Sequence, residues 1–203
     1  MLAQQQFLVD AHAHCDGRLE TATWLPFYHD MGMFHGLLMP LLSGGCCNFI
    51  APRQFAASPM RWLKLISDYQ ANSTAAPDFA WQLCVDHTPA NRCADFDLSS
   101  VHLALNAAEP LRPETMNNFS RHFQVAGFNS QCFTPGYGMA EATLGISYKP
   151  AGSFFVSHCF DAVQLAQGFA VLAKTGRTLI SSGRVPRAWN VKIVDPDTRT
   201  EKE

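Results

Sequence analysis

The chain has 203 residues, of which 47% are apolar and 16% charged, with a formal net charge of −2. That balance describes a globular chain with a core and excludes a charge-rich disordered one. Its near-neutrality gives no reason to read nucleic acid or an anionic membrane surface as a partner, and no apolar run approaches the roughly 20 residues that span a bilayer.

The first six residues, MLAQQQ, form neither a basic leader nor an amphipathic transit peptide. Cysteines at positions 15, 46, 47, 84, 93, 132 and 159 include no C-x-x-C pair. They read as reduced, mostly buried thiols of a cytoplasmic protein, with no spacing for a zinc site or a disulfide framework.

Residues 7–16, FLVDAHAHCD, set His12 and His14 two apart after an apolar run. On a strand both imidazoles face one side, as two ligands of one zinc must. A metal-dependent amidohydrolase presents its first ligands this way and uses metal-activated water. That barrel needs about 250 residues and further ligands at later strand ends. His29, His35, His87, His102, His122 and His158 do not fall in such settings.

Residues 24–32 read WLPFYHDMG. His29 and Asp30 are neighbours, so their side chains are expected to diverge and make no ready pair. His29 suits positioning a carboxylate or gating a pocket, and a hydrogen-bonded core histidine is the plain alternative. Residues 33–42 carry Met33, Phe34, Leu37, Leu38, Leu41 and Leu42. They suit either the wall of a lipid tunnel or a buried helix kinked at Pro40.

Beyond this point short apolar runs alternate with amphipathic helical stretches, which predicts an α/β fold with a mostly parallel sheet. Strands are expected over 48–51, 101–105, 132–134, 178–181 and 189–194. A helix opens at Ser58-Pro59, a cap residue followed by proline at the first helical position, with Trp62, Leu65, Ile66 and Tyr69 as its inner face. A second covers 79–87. A third opens near Pro113, turns Met116, Phe119 and Phe123 inward and stops at Gly127. The first three strands lie between helices, as βαβ units require. Val191 and Ile193 alternate with polar neighbours and read as a half-buried strand ending at Asp195-Pro196.

Two loops carry further chemistry. Residues 106–110, NAAEP, follow a strand, where open α/β sheets place ligand loops. Ala107 and Ala108 let a flat group lie against the backbone; an ordinary strand-to-helix turn is the alternative. Residues 135–144 read PGYGMAEATL. Gly136 and Gly138 bracket Tyr137, so the backbone there can turn sharply and the ring can offer its face to a planar base. Glu141 suits Mg²⁺ beside a bound triphosphate. A glycine turn with a core tyrosine and a solvated glutamate is the plain alternative.

In this order and spacing the segments resemble the adenylate-forming superfamily and, within it, the fatty acyl-AMP ligases. The family's Trp-Leu-Pro-x-Tyr-His-Asp-Met-Gly block is matched over 24–32 without a break. Its Asn-Gly-Ala-Glu-Pro loop is matched at Asn106, Ala108, Glu109 and Pro110. Its Tyr-Gly-Leu-Ala-Glu-Ala-Thr block is matched over 137–143 except at Met139. Residues 58–67, 75–80 and 97–100 are also family-like.

The resemblance implies part of a large N-terminal adenylation domain, with the start of a following β subdomain. It implies ATP and Mg²⁺ as cofactors, and a long-chain fatty acid activated as acyl-AMP. The acyl group then passes to an acyl carrier protein or polyketide synthase. By the same resemblance Asn106, Ala107, Ala108, Glu109, Pro110, Tyr137, Gly138, Met139 and Ala140 bind the nucleotide. His29 and Glu141 serve catalysis, with Glu141 holding Mg²⁺, and His29, Gly32, Met33 and Gly36 bind the acyl group. If the loop's usual glycine has positive φ, alanine at 107 costs roughly 1 kcal/mol.

Residues 142–182 separate Glu141 from Gly183, longer than in acyl-CoA synthetases of similar pattern. Residues 145–178 are therefore expected to hold the insertion of the acyl-AMP ligases. A phosphate loop ending in lysine, the ribose-binding aspartate block and the C-terminal domain with its lysine are expected outside these 203 residues. The chain alone is then expected to be inactive. An acyl-CoA synthetase of the same superfamily and a non-catalytic binding remnant are the remaining alternatives.

Overall fold

The computed structural model describes residues 18–150, 152–187 and 189–202. The His12 and His14 motif and Cys15 lie outside them. Six strands, β1 (Glu20–Thr23), β2 (Cys46–Phe49), β3 (Ser73–Ala76), β4 (Leu103–Asn106), β5 (Phe133–Gly138) and β6 (Gly145–Tyr148), form one sheet in the order β2-β1-β3-β4-β5-β6. Every pairing is parallel except β5 with β6. A second, antiparallel sheet joins β7 (Ser157–Phe160) to β8 (Arg177–Ile180).

Side-chain alternation along the strands sets the layers. On β1, the Thr21 hydroxyl donates to the Gly36 carbonyl and Thr23 packs on Gly36. Gly36 belongs to α1, a π-helical stretch over Gly32–Leu38 that continues as α2 (Met39–Leu42). Ala22, between the two threonines, presents its carbonyl to the Trp62 indole of α4 (Met60–Tyr69). On β3, Ser73 pairs with His35 of α1 at 3.0 Å, and Thr74 accepts from Trp62 at 3.0 Å. Helices α1 and α4 therefore cover opposite faces of the sheet.

The α1 turn widens just before Pro40, which lacks an N–H and crowds the carbonyl four residues back, that of Gly36. Thr21 supplies that carbonyl's missing donor. The expected kink at Pro40 is thus a widened turn. Met33, Leu41 and Leu42 are exposed, so the segment is only partly buried.

The core on the α4 face is aromatic. Trp62, Trp81, Phe119, Phe123 and Phe133 are almost fully buried. Trp81, on α5 (Asp78–His87), lies 4.7 Å from Trp62, 5.0 Å from Phe119 and 4.9 Å from Phe133, centre to centre. Trp24 stacks on Phe55 of α3 (Pro52–Ala57) at 3.9 Å. The helix α6 (Pro113–His122) turns Met116 and Phe119 inward, and Gly127 takes φ +82 where the chain reverses. Tyr69, expected on the inner face of α4, is exposed, and Leu63 takes the buried place.

Lys149, just after β6, is buried and donates to the carbonyls of Gln131 and Ser153 at 2.9 and 2.6 Å. Burial takes its ammonium down to about 8. The unfolded chain keeps that proton to about pH 10.4, so folding is expected to strengthen as pH rises from 8 toward 10, by about 1–3 kcal/mol. The buried Cys84 thiol is pushed up and acts in the opposite sense over that range. The readout is therefore the difference between the wild type and Lys149→Met in urea titrations at pH 7.5 and 9.5. The variant is expected to lack this gain, and equal pH slopes would contradict it.

Residues 189–194 correct the expectation of a strand. Among the described residues only an isolated bridge, Val194 with Glu201, forms there, and Ile193 is 70% exposed. Asp195 accepts the backbone N–H groups of Asp197 and Thr198. The segment closes on itself in a tight turn around Asp195. Among the described cysteines, Cys84, Cys93 and Cys132 are buried and Cys46 is exposed.

Candidate active site

Strands β1, β3, β4 and β5 run parallel, so their C-terminal ends share one edge, and the loops that follow them meet there. The clamp on the 106–112 loop is built first. Asp78, the first residue of α5, is buried and accepts from Asn106 Nδ2 at 3.2 Å, Thr115 Oγ1 at 2.9 Å, Arg112 N at 3.2 Å and Arg112 Nε at 2.8 Å. One carboxylate thus pins both ends of the loop. Glu109 Oε1 takes the Phe79 N–H at the start of α5 at 2.7 Å, a third anchor where the helix exposes bonding hydrogens.

Asn106 and Glu109 are therefore engaged with the protein. Asn106 is fully buried, and its Oδ1 has no partner among the described residues. The strain predicted at residue 107 falls one position later: Ala108 has φ +73 and Ala107 does not.

Two adjoining cavities open at this edge and share Ala108, Gly136, Tyr137 and Gly138. The first, about 210 Å³, is also lined by His29, Asp30, Met31, Leu105, Ala107, Leu144, Gly145 and Tyr148. The second, about 450 Å³, lies between residues 108–112 and β8, with Arg112 and Arg177 in its wall. Tyr137 stands between them, 52% exposed. Gly138 is required where it is: a Cβ there would sit 1.8 Å from the Leu144 carbonyl oxygen. Tyr148 returns on β6 opposite Gly136, and its ring closes the first cavity.

The three motif segments thus converge: His29, Ala107, Ala108, Glu109, Pro110, Tyr137 and Gly138 all line one or both cavities. Other expected site residues do not. Gly32 is buried against the Pro26 carbonyl and Gly36 against Thr23, while Met33 is exposed; none lines either cavity. Met139, Ala140 and Glu141 are exposed at the turn beyond β5 and line neither.

His29 and Asp30 correct the expectation that they diverge: Nδ1 of His29 lies 2.8 Å from Oδ1 of Asp30. The turn into α1 folds the two side chains together. Arg112 and Tyr148 carry no signal in the sequence, and Asp30 is legible there only as a neighbour of His29. Asp78, inside a family-like stretch, was not singled out, although an aspartate after proline at a helix start is a readable signal.

Among the described residues no group of three or more His, Cys, Asp or Glu could hold a metal ion. A lone exposed carboxylate such as Glu141 fits only an ion held mainly by water and phosphate oxygens, as Mg²⁺ is. No described helix is long and apolar enough to cross a membrane.

The AMP-binding enzyme family matches residues 1–203, and the chain belongs to that family. It is 44% identical over 182 residues to the medium-chain-fatty-acid–[acyl-carrier-protein] ligase JamA of Moorena producens, covering 87% of this chain and 31% of that protein. It is 36% identical over 182 residues to the 4-hydroxyphenylalkanoate adenylyltransferase of Mycobacterium tuberculosis, covering 88% of this chain and 29% of that one. The fold matches the crystal structure of a Legionella pneumophila fatty acyl-adenylate ligase in complex with acyl adenylate and pyrophosphate. That match has a TM-score of 0.89 and 33% identity, over 98% of this chain and 35% of that one. The chain spans about a third of the length of these relatives.

Proposed function

We propose that this chain forms the adenine and acyl-head side of an ATP-dependent ligase that activates a fatty acid of medium or longer chain as acyl-AMP. The acyl group would then pass to the phosphopantetheine arm of a carrier protein, in the cytoplasm. The observation that carries this reading is Tyr137: half-exposed, flanked by glycine, and standing between two adjoining cavities.

In this reading adenine lies in the larger cavity, against the Tyr137 ring and the 107–110 backbone. The glycines at 136 and 138 allow that close approach. The reacting carboxylate and α-phosphate lie toward the smaller cavity, beside His29. ATP and its magnesium supply the activated phosphate. The residues here align the reactants and exclude water, which is where most of the rate gain of such a transfer comes from. Glu141, at the exposed turn next to Tyr137, would take Mg²⁺ through one carboxylate. Residues 145–178 would carry the feature that separates acyl-AMP ligases from acyl-CoA synthetases; β7, α7 (Ala162–Ala166) and β8 fold there as a unit outside the main sheet.

The test is calorimetric titration of the chain with 5′-O-(N-decanoylsulfamoyl)adenosine, a non-hydrolysable acyl-adenylate mimic. One-to-one binding is expected, displaced by AMP but not by free phosphate. No heat of binding at millimolar ligand would refute the proposal.

A further inference from the structure

The His29–Asp30 pair carries a role that the cleft's shape alone does not reveal. Two hydrogen-bond readings of His29 Nδ1 compete. It lies 3.2 Å from the Met31 N–H and 2.8 Å from Asp30 Oδ1. The Met31 N–H has a better acceptor in Asp30 Oδ1 itself, at 2.6 Å. A bare Nδ1 lone pair 2.8 Å from a carboxylate oxygen is repulsive; a protonated Nδ1 makes the same contact a charge-assisted hydrogen bond. The contact with Asp30 is satisfied by a proton on Nδ1, an arrangement that in a neutral imidazole leaves the lone pair on Nε2.

We propose that Asp30 is a positioning residue. It fixes His29 in the Nδ1–H tautomer, so that an anion entering the smaller cavity binds with uptake of a proton onto Nε2. The ring then bridges two negative groups, donating Nδ1–H to Asp30 and Nε2–H to the incoming oxygen. Among the described residues the other titratable groups lining this cavity are the Tyr137 phenol from β5 and the Tyr148 phenol from β6, and no described lysine or arginine lines it. The Tyr148 phenol is pushed up, first by burial and then by Asp30, so it stays neutral and adds no negative charge beside an incoming anion. The anion half of the proposal rests on the acyl-adenylate reading above; the tautomer half does not.

The test has two arms on the same protein. In the unliganded chain, ¹⁵N–¹H correlation spectra of the imidazoles, with His29 assigned by loss of its signals in His29→Gln, are expected to show the Nδ1–H form. Asp30→Asn retains an acceptor and is expected to keep that tautomer. Asp30→Ala is expected to shift it toward Nε2–H, with circular dichroism confirming that both variants fold. A wild-type His29 in the Nε2–H form overturns the proposal.

In the second arm, titration with decanoylsulfamoyladenosine at pH 7.5 in phosphate and in Tris reads proton transfer from the difference in heats. Wild type is expected to take up a substantial fraction of one proton, and Asp30→Ala at most a third as much. Binding without uptake overturns the proposal. Absence of binding refutes the acyl-adenylate reading and the uptake with it, while the spectra still decide the tautomer.

Discussion

Replacing Tyr137 with alanine is expected to weaken binding of decanoylsulfamoyladenosine about 10- to 100-fold. Stacking of a base on an aromatic side chain is worth roughly 1–3 kcal/mol by alanine substitution. The ring is 52% exposed, so its removal leaves little cavity in the core. Stability is expected to move by less than about 0.5 kcal/mol, as for surface substitutions generally. Tyr137→Phe keeps the ring face and is expected to lose less than about threefold, under 1 kcal/mol. Calorimetry on the three proteins separates stacking from a hydroxyl contact. Equal affinity for wild type and Tyr137→Ala would remove the ring from the nucleotide site.

The second large effect is structural. Trp62→Ala is expected to cost about 3–5 kcal/mol, the range for deleting a large buried aromatic side chain. Trp62 is fully buried and meets Trp24, Phe55 and Trp81. Its indole N–H also ties α4 to Thr74 of β3 and to Ala22 of β1. The loss is large against the 5–15 kcal/mol typical of a folded domain. Urea denaturation followed by circular dichroism is expected to show a much lower midpoint. A loss under about 1 kcal/mol would mean that the surrounding rings close the gap, contrary to the packing described.

These two residues also mark what could be read before any coordinates. Trp62 sits on a strongly amphipathic helix with a proline just before it, so α4 was legible as a helix. Helix α6 was legible for the same reason, and the expected starts of α5 and α6 lie within a residue of the observed ones. Strands β1 and β3 were not. Their sequences, ETAT and STAA, carry threonine, serine and alanine in place of the large β-branched residues that announce a strand. Small residues are used there because α1 and Trp62 approach the sheet closely on either face. Strand β6 is GISY, short and preceded by a turn, and only its antiparallel pairing with β5 defines it.

The site divides in the same way. Its loops were legible because glycine, proline and an ordered block of motif residues mark them. The groups that hold the loops in place were not. Asp78 acts from the start of α5 across 28 residues to Asn106 and 37 to Thr115, a separation that no local pattern reveals. The His29–Asp30 contact was missed for the opposite reason. Sequence neighbours diverge in a strand, but a tight turn into a helix brings them together, and the turn depends on Gly32 packing against the Pro26 carbonyl. Tyr148 lines the cavity because β6 turns back along β5, and that return belongs to the fold.

The most direct measurement is amide chemical-shift mapping of the ¹⁵N-labelled chain during titration with decanoylsulfamoyladenosine. The account predicts saturable shifts concentrated at residues 29–31, 107–112 and 136–148, with no change in a separate polar groove lined by Asn117, Ser120, Arg121 and Gln124. Saturable shifts gathered in that groove, or spread evenly with the 136–138 turn silent, would contradict it.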